Sequence, residues 1–545
     1  MSADEFTRRE FLQSILAAIS VGAIDWNALP VASRRSLPDN QFDAIIIGAG
    51  LGGLSCGAAF ARQGFKPLVL EQHTKPGGYA TTFQRKDFIF DVSLHSTVVG
   101  ERNGVRNLIH GFPEIMDVTF VPHPELYRAV YPHHDIRVPQ RDVGGYIAAL
   151  SKLFPDEKEG IKGAIDDMRG LSGDVRRISA TKGQPDPATF AIDYPCLARF
   201  MNGTWAGMVD TRIRDPKLKA ILCAQWVYYG LPPSQISPFY SALPAIGYLE
   251  GGGCYPVGRS QKISDALAGF IRSHGGTVKL ETRVREIVTK DGAAVGVRTA
   301  GGDEYTARVV VSNADARETF VAMLQKEPSL QEYARTLEPL GSSLSCFQVF
   351  LGLKRDLVRE TGIRDSEVFA YGGYDYDAEY RQMRDADLSG GGFALAMYDN
   401  LPEAFSPKGK NTLNILALQG YDHWQKYEAD YFRGNKSAYN IEKEQMADVL
   451  IDAVEKRLLP GLREAIEVKE IGTPLTNVRY TSNYHGAIYG WDQTPQNSGP
   501  KRISHTTPLK NLYLAGAWTR PGHGYGGVIG SGLECFGEIM KNGSW

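Results

Sequence analysis

DAIIIGAGLGGLSCGAAFARQGFKPLVLE, residues 43–71, carries a strand, turn, helix and second strand in one uninterrupted run. Ala44–Ile47 is a short apolar, β-branched stretch that reads as a buried parallel strand, and Gly48, Gly50 and Gly53 follow at once in G-x-G-x-x-G spacing. Gly48 permits the tight turn, Gly50 lets a pyrophosphate approach the backbone, and Gly53 lets the helix pack on the strand. The first helical turn offers unpaired N–H groups to phosphate oxygens, so Ala49, Leu51 and Gly52 complete the expected phosphate loop. Ala58, Ala59 and Ala61 continue the helix to Gly64, a C-cap, and a strand over Pro67–Leu70 delivers Glu71 and Gln72. Glu71 lies 21 residues after Gly50, suited to accept a ribose hydroxyl. An acid there argues against a 2′-phosphate, hence against NADP.

The other end of the chain holds a partner segment, NLYLAGAWTRPGHGYGGVIGSG, residues 511–532. Leu512–Ala515 reads as a strand ending at Gly516, Pro521–Gly532 as a glycine-rich loop, and Leu533–Met540 as a helix. NAD needs one βαβ unit and its crevice, whereas FAD brings an isoalloxazine and ribityl chain that a remote loop and helix must cover. The two segments together therefore point to FAD. The N-terminal turn of the last helix would set its positive dipole near the flavin pyrimidine edge, where negative charge accumulates on reduction.

Between the two ends the texture alternates. Gly77 and Gly78, with Tyr79 after them, form a loop able to lie against the second half of the cofactor, and Phe88–Val92 reads as a hairpin strand with His95 just beyond. From 101 to about 249 helical patterns interleave with aromatics such as Trp226, Tyr228, Tyr229, Phe239 and Tyr240, a tract able to line an apolar cavity. Nucleotide-domain texture returns at Gly251–Gly253, with a helix over Ser260–Ser273, strands at Thr277–Leu280 and Val284–Thr289, a turn at Asp291-Gly292 and a buried strand over Ala307–Val311. The expected architecture is α/β: a discontinuous Rossmann-like cofactor domain with an inserted mixed α+β substrate domain. Its cofactor domain takes residues 40–100, 251–318 and 481–545, its substrate domain 101–250 and 319–480, and residues 1–39 form a leader and linker.

Composition narrows the function. At 545 residues the chain is too long for one compact core. Its 60 Lys+Arg against 62 Asp+Glu leave a net charge of −2, which gives no footprint for nucleic acid. No apolar run reaches the roughly 18 residues of a spanning helix. The six cysteines show neither a C-x-x-C pair nor metal-ligand spacing, so no metal site is expected. Near the start, Thr7-Arg8-Arg9-Glu10-Phe11-Leu12 precedes an apolar run over Ile15–Ile24, a combination that resembles a twin-arginine export signal. It implies export to a bacterial periplasm or its membrane face. Pro30-Val31-Ala32 is a poor cleavage site, so the segment is compatible with retention as an anchor.

In aggregate, IGAGLGGLSCGAAFARQGFKPLVLE, the Gly77-Gly78 loop, FIFDVSLH, GCYPVGRSQKISDAL, VVVSNAD and the AIYG and LAGAWTRPGHGYGGVIGSG segments resemble the phytoene desaturase, carotenoid isomerase and retinol saturase group. That group lies within the amine oxidase-like flavoproteins, and the resemblance covers residues 42–540. It implies non-covalent FAD, with Gly48, Gly50, Gly53 and Glu71 on the ADP half and Gly77, Gly78 and Tyr79 near the pyrophosphate and ribityl. It further puts Val284 at the adenine and Gly516, Ala517, Gly527 and Val528 near the flavin. Three departures stand out: Ala517 where many relatives have an acid, Tyr79 where amine oxidases usually have an arginine, and Asp91-Val92-Ser93 where relatives often read D-x-G.

The implied chemistry is flavin redox at a carbon–carbon bond of an apolar, polyene or isoprenoid-like small molecule, with an unidentified electron acceptor. Desaturation sends a hydride to N5 and needs a base, saturation reverses this with an acid, and isomerisation needs reduced flavin without net turnover. His95, His485, Tyr489, His523 and Glu534 are the proton-moving candidates, His95 first because retinol saturase-like relatives also place a histidine after the hairpin. A water-insoluble substrate would make a peripheral membrane surface useful. Two alternatives stand beside this reading. An amine oxidase would use an aromatic cage, which Tyr489 and Trp491 could supply. A non-enzymatic lipid carrier would share the fold, as GDP dissociation inhibitors do.

Overall fold

A computed structural model describes residues 26, 29, 31, 38–93, 95–99, 105, 112, 115, 117–181, 185–403 and 405–542. The arginine-bearing leader, residues 7–24, lies outside them. Among the described residues no helix is long and apolar enough to cross a membrane.

The apolar run at the start forms a seven-residue strand, Gln41–Ile47, buried along most of its length. It pairs in parallel with Pro67–Leu70 on one side and with Glu304–Ser312 on the other. Thr277–Lys279 extends the sheet beyond Pro67–Leu70, again in parallel. On the far side Glu304–Ser312 is shared: its first residues take an antiparallel strand, Ala293–Thr299, and its last residues take Leu512–Leu514 in parallel. Val284–Lys290 completes this seven-stranded sheet. Chain order reverses between Gln41–Ile47 and Glu304–Ser312. That reversal is a topological switch point, where a crevice opens at the carboxyl ends of the strands.

Two helices cover this point. Leu51–Arg62 springs from the glycine turn, with Gly50 as N-cap and no side chain capping it. The C-terminal helix runs from Tyr525 to Asn542, eight residues earlier than the Leu533 start that its glycine content suggests. Glycine disfavours helix by about 1 kcal/mol per residue, yet close packing overrides that cost here. A Cβ on Gly532 would stand 2.1 Å from the carbonyl oxygen of Gly52 and 2.1 Å from Ser55 Oγ. Ser55 Oγ donates to the carbonyl of Ile529 at 3.0 Å, which fastens the two helices at this crossing.

A second seven-stranded sheet, mostly antiparallel, runs Ile466–Gly472, Ser345–Leu353, Asn411–Gln419, Phe393–Ala396, Glu367–Ala370, Tyr127–Val130 and Asp135–Val138. The last two form a hairpin within a region read as helical with interleaved aromatics. Its alternation is too short to stand out, and it is held by pairing with the distant Glu367–Ala370 rather than by local pattern. The helices of 143–251, among them Lys158–Ala180 and Ala242–Gly251, pack with this hairpin around a large apolar core that includes Trp205, Trp226 and Ile165.

Candidate active site

The crevice continues into a cavity of about 950 Å³. At one end its wall is Ile47, Gly48, Gly50, Leu51 and Gly52, with Glu71, Gln72 and Val284 beside them. Each follows from the fold. The turn after Gln41–Ile47 holds Gly48 at φ +93°, a conformation glycine adopts freely. The uncapped first turn of Leu51–Arg62 leaves N–H groups facing the cavity. Glu71 is buried, and its carboxylate accepts the Ala49 N–H at 2.7 Å and the His73 N–H at 2.9 Å. Burial raises its pKa above the ordinary carboxylate value, against the lowering effect of those two bonds. Ala49 and Gly53 do not line the cavity: Ala49 orients Glu71, and Gly53 packs against the carbonyl of Gly48, where a Cβ would meet it at 2.1 Å.

Further along, Gly77, Gly78 and Tyr79 form the wall, tied to the phosphate loop by the Gly77 N–H donating to the Ala49 carbonyl at 2.7 Å. Tyr79 Oη donates to the Ala487 carbonyl at 3.3 Å. Gly516, Ala517, Gly527 and Val528 close the opposite side. The two glycine segments meet on Asn313, the first residue after Glu304–Ser312, which itself lines the cavity. A Cβ on Gly52 would lie 2.5 Å from Asn313 Oδ1 and 2.8 Å from Gly516 Cα. In the sequence Asn313 is marked only by the polar step that ends a buried parallel strand. Glycine backbone, helix N-terminus and buried acid in this order suit a pyrophosphate and a ribose.

Beyond Gly78 and Ala517 the wall turns aromatic and aliphatic, with Tyr228, Phe239, Tyr240, Leu243, Ile488 and Tyr489. The cavity reaches the exposed Arg176 and Glu250, on the helices Lys158–Ala180 and Ala242–Gly251. Three of the proton-moving candidates face it. His95 is buried, with Nδ1 3.0 Å from Glu367 Oε1, although that contact lacks hydrogen-bond alignment. Tyr489 Oη donates to the Val227 carbonyl at 3.1 Å, and burial holds its pKa well above the usual phenol value. His523 lies between Tyr489 and Tyr240, with ring centroids 4.4 and 4.5 Å away, and neither ring nitrogen has an aligned partner. Burial, aided by Arg502, pushes its pKa down to about 3, so the ring is neutral.

The remaining candidates are elsewhere. His485 does not line the cavity; at φ +54° it stacks on Tyr484 and Tyr421 at 3.8 and 4.6 Å. Glu534 is also outside, 3.2 Å from His505 Nε2. Trp491 is buried edge-on against Trp518 at 4.8 Å and gives Tyr489 no aromatic partner in the cavity. Among the described residues no cluster of His, Cys, Asp and Glu could hold a metal ion.

A switch-point crevice lined by two glycine segments and prolonged into an apolar chamber defines a two-sheet protein built around a dinucleotide cofactor. The flavin containing amine oxidoreductase family matches residues 51–539, and the chain belongs to it. It is similar to prolycopene isomerase 1, chloroplastic, of an Oncidium hybrid cultivar, at 28% identity over 520 residues, covering 92% of this chain and 84% of the relative. The all-trans-retinol 13,14-reductase of Danio rerio is 27% identical over 543 residues, covering 94% and 87%. The phytoene desaturase (neurosporene-forming) of Rhodobacter capsulatus is 26% identical over 521 residues, covering 90% and 92%. Among solved structures, putrescine oxidase bound to putrescine matches with a TM-score of 0.59 at 15% identity, covering 92% of this chain and 99% of that one. Rab GDI from Plasmodium falciparum matches at 0.51 and 12%, covering 92% and 98%. These two likenesses concern the fold alone. The protein is thus a flavin oxidoreductase of the branch whose relatives are carotenoid- and retinol-modifying enzymes.

Proposed function

We propose that the protein uses FAD to act on C–C or C=C bonds of an apolar polyene or isoprenoid-like substrate, by desaturation, saturation or isomerisation. The observation that carries this is the chamber beyond Gly78 and Ala517: aromatic and aliphatic walls with a buried His95–Glu367 pair at their edge. FAD supplies two-electron hydride exchange at N5. Glu71 takes the ribose, the Gly48–Gly52 backbone the pyrophosphate, and Asn313 keeps the two glycine segments in register. Phe239, Leu243 and Ile488 exclude water and align an apolar chain. His95 accepts the proton of the vicinal carbon in desaturation or returns it in saturation.

An amine oxidase reading loses the expected Tyr489–Trp491 cage, because Trp491 lies outside the cavity; the aromatic groups beside Tyr489 in the wall are His523 and Tyr240 instead. The purified protein is expected to be yellow and to release FAD on denaturation. Anaerobic mixing of the oxidised and the pre-reduced protein with a panel of carotenoids, retinoids, amines and fatty acids tests the substrate class: a polyene should bleach the oxidised flavin if it is desaturated, recolour the reduced flavin if it is saturated, or change its isomer composition over the reduced flavin. Bleaching by amines alone, or a colourless protein, overturns the reading.

A further inference from the structure

Glu367 opens a strand of the second sheet, is 2% exposed, and does not itself touch the cavity. A carboxylate so buried needs partners, and its partners here are cavity-lining groups. Its Oε1 lies 3.0 Å from His95 Nδ1 and accepts the Tyr228 hydroxyl. Among the described residues His95 is the one basic side chain within 4.0 Å of the Glu367 carboxylate. The other groups that face it come from every element packed around it: His123 after the strand Phe120–Pro122, Tyr248 on Ala242–Gly251, Tyr398, and Tyr489. Burial lowers the His123 pKa, so that ring is neutral, and its Nδ1 is held 2.6 Å from Ser366 Oγ. Burial raises Tyr228, Tyr248, Tyr398 and Tyr489 above the usual phenol range, so they keep their protons. Two residues before Glu367, Asp365 is engaged by Arg128 and Arg137 at 3.1 and 2.8 Å and neutralises them on the outer side.

We infer that Glu367 is the positioning residue of the proton-transfer group: its buried carboxylate, 3.0 Å from Nδ1, stands where it can steady the charge that develops on His95 when the ring takes the substrate proton. The inference rests on the reading of His95 given above. With Tyr228 locked as a donor to the same oxygen, the pair exchanges one proton with the substrate carbon while the vicinal carbon exchanges a hydride with FAD. In desaturation two C–H bonds break, one C=C forms, the hydride leaves with two electrons and the proton ends on His95. Saturation returns both. The arrangement parallels the general scheme in which a buried acid orients a histidine and stabilises its charged form.

Glu367→Gln keeps the shape and removes the charge. Because a carboxylate beside an imidazole stabilises its charged form, the histidine-dependent limb of the pH profile for flavin bleaching or recolouring should move to lower pH when that charge is removed. FAD content, read from absorbance, should stay at the wild-type level. In a His95→Ala background the same substitution should cost no further rate. A second readout needs no substrate: NMR titration of ring-labelled histidines, with His95 assigned by its loss in His95→Ala, should move in the same direction. Should Glu367→Gln fail to fold, Glu367→Asp is measured in its place and should shift the His95 titration less than loss of the charge would. An unmoved His95 titration, or rate losses that add in the double variant, overturns the assignment. Failure of the substrate reading shows itself separately, as a protein whose flavin no polyene bleaches or recolours and over which no polyene isomerises, while the His95 titration still responds to Glu367.

Discussion

Gly532→Ala is the sharpest test of how the cofactor crevice is closed. The alanine methyl would lie 2.1 Å from the Gly52 carbonyl oxygen, 2.1 Å from Ser55 Oγ and 2.9 Å from the Cys56 nitrogen. Two of these are backbone atoms of the phosphate-loop helix, so the clash cannot be relieved by turning a side chain. Restoring an ordinary contact means parting the helices by roughly 1 Å, at the cost of about 1–3 kcal/mol typical of overpacking. The same displacement weakens the 3.0 Å Ser55–Ile529 hydrogen bond, a further loss of about 1 kcal/mol. The expected total is about 2–4 kcal/mol, with weaker FAD retention although Gly532 does not touch the cavity.

Gly537 is the matched control. It lies in the same helix with nothing within 4 Å of where its Cβ would be. Gly537→Ala should gain about 0.5–1 kcal/mol from helix propensity alone. Denaturant unfolding and FAD release through a desalting step measure both variants. Equal stability of the two, or full flavin retention by Gly532→Ala, would refute the argument that close packing explains helical glycines here.

Glu71→Ala removes the acceptor of two N–H groups at 2.7 and 2.9 Å together with the expected ribose contact. FAD affinity should fall at least tenfold, since each charged acceptor is worth about 1.5–3 kcal/mol, and fluorescence titration with FAD checks it. Glu379, pushed up to about 8 chiefly by burial, binds its proton more tightly folded than unfolded. Its contribution to stability is thus complete below the free value of 4.5 and is lost as pH rises through about 8, so the thermal midpoint should decline over that window and Glu379→Gln should flatten the decline. His523, held neutral with its pKa near 3, cannot give a pH limb between about 5 and 9. His523→Asn should lower the rate yet leave the position of such a limb unchanged in a pH–rate series.

What could be read in advance followed the range of the interaction that decides it. The turn at Gly48–Gly53 is specified by neighbours in the chain, and its strand, helix and following strand stand close to the expected limits. The C-terminal helix starts earlier than its glycines suggest, because Gly532 answers to Gly52 and Ser55 and Gly527 to Tyr240 and Gly522, all but the last of these far away in sequence. His485 carried the composition of a catalytic residue, but its left-handed backbone and its stacking on Tyr421 turn it from the cavity. Glu367 gave no local signal, since it is one acid opening an otherwise apolar strand.

The same logic explains why the cofactor was easier to read than the substrate. The cofactor meets backbone, and backbone is exposed where glycine permits it, so its demands appear as spacing. The substrate chamber meets side chains drawn from Tyr228, Phe239, Tyr248 and Phe369, each in a different helix or strand, and from Ile488 in a loop. Their types are those of any core, and only the cavity distinguishes them. Gly52, Asn313 and Gly516 join the two regimes. Because a single Cβ at Gly52 would strike both of its neighbours, the segment before Trp518 is fixed against the phosphate loop. The walls that would take the two ends of a cofactor are therefore fixed against each other, while His95 lines the same cavity with Glu367 behind it.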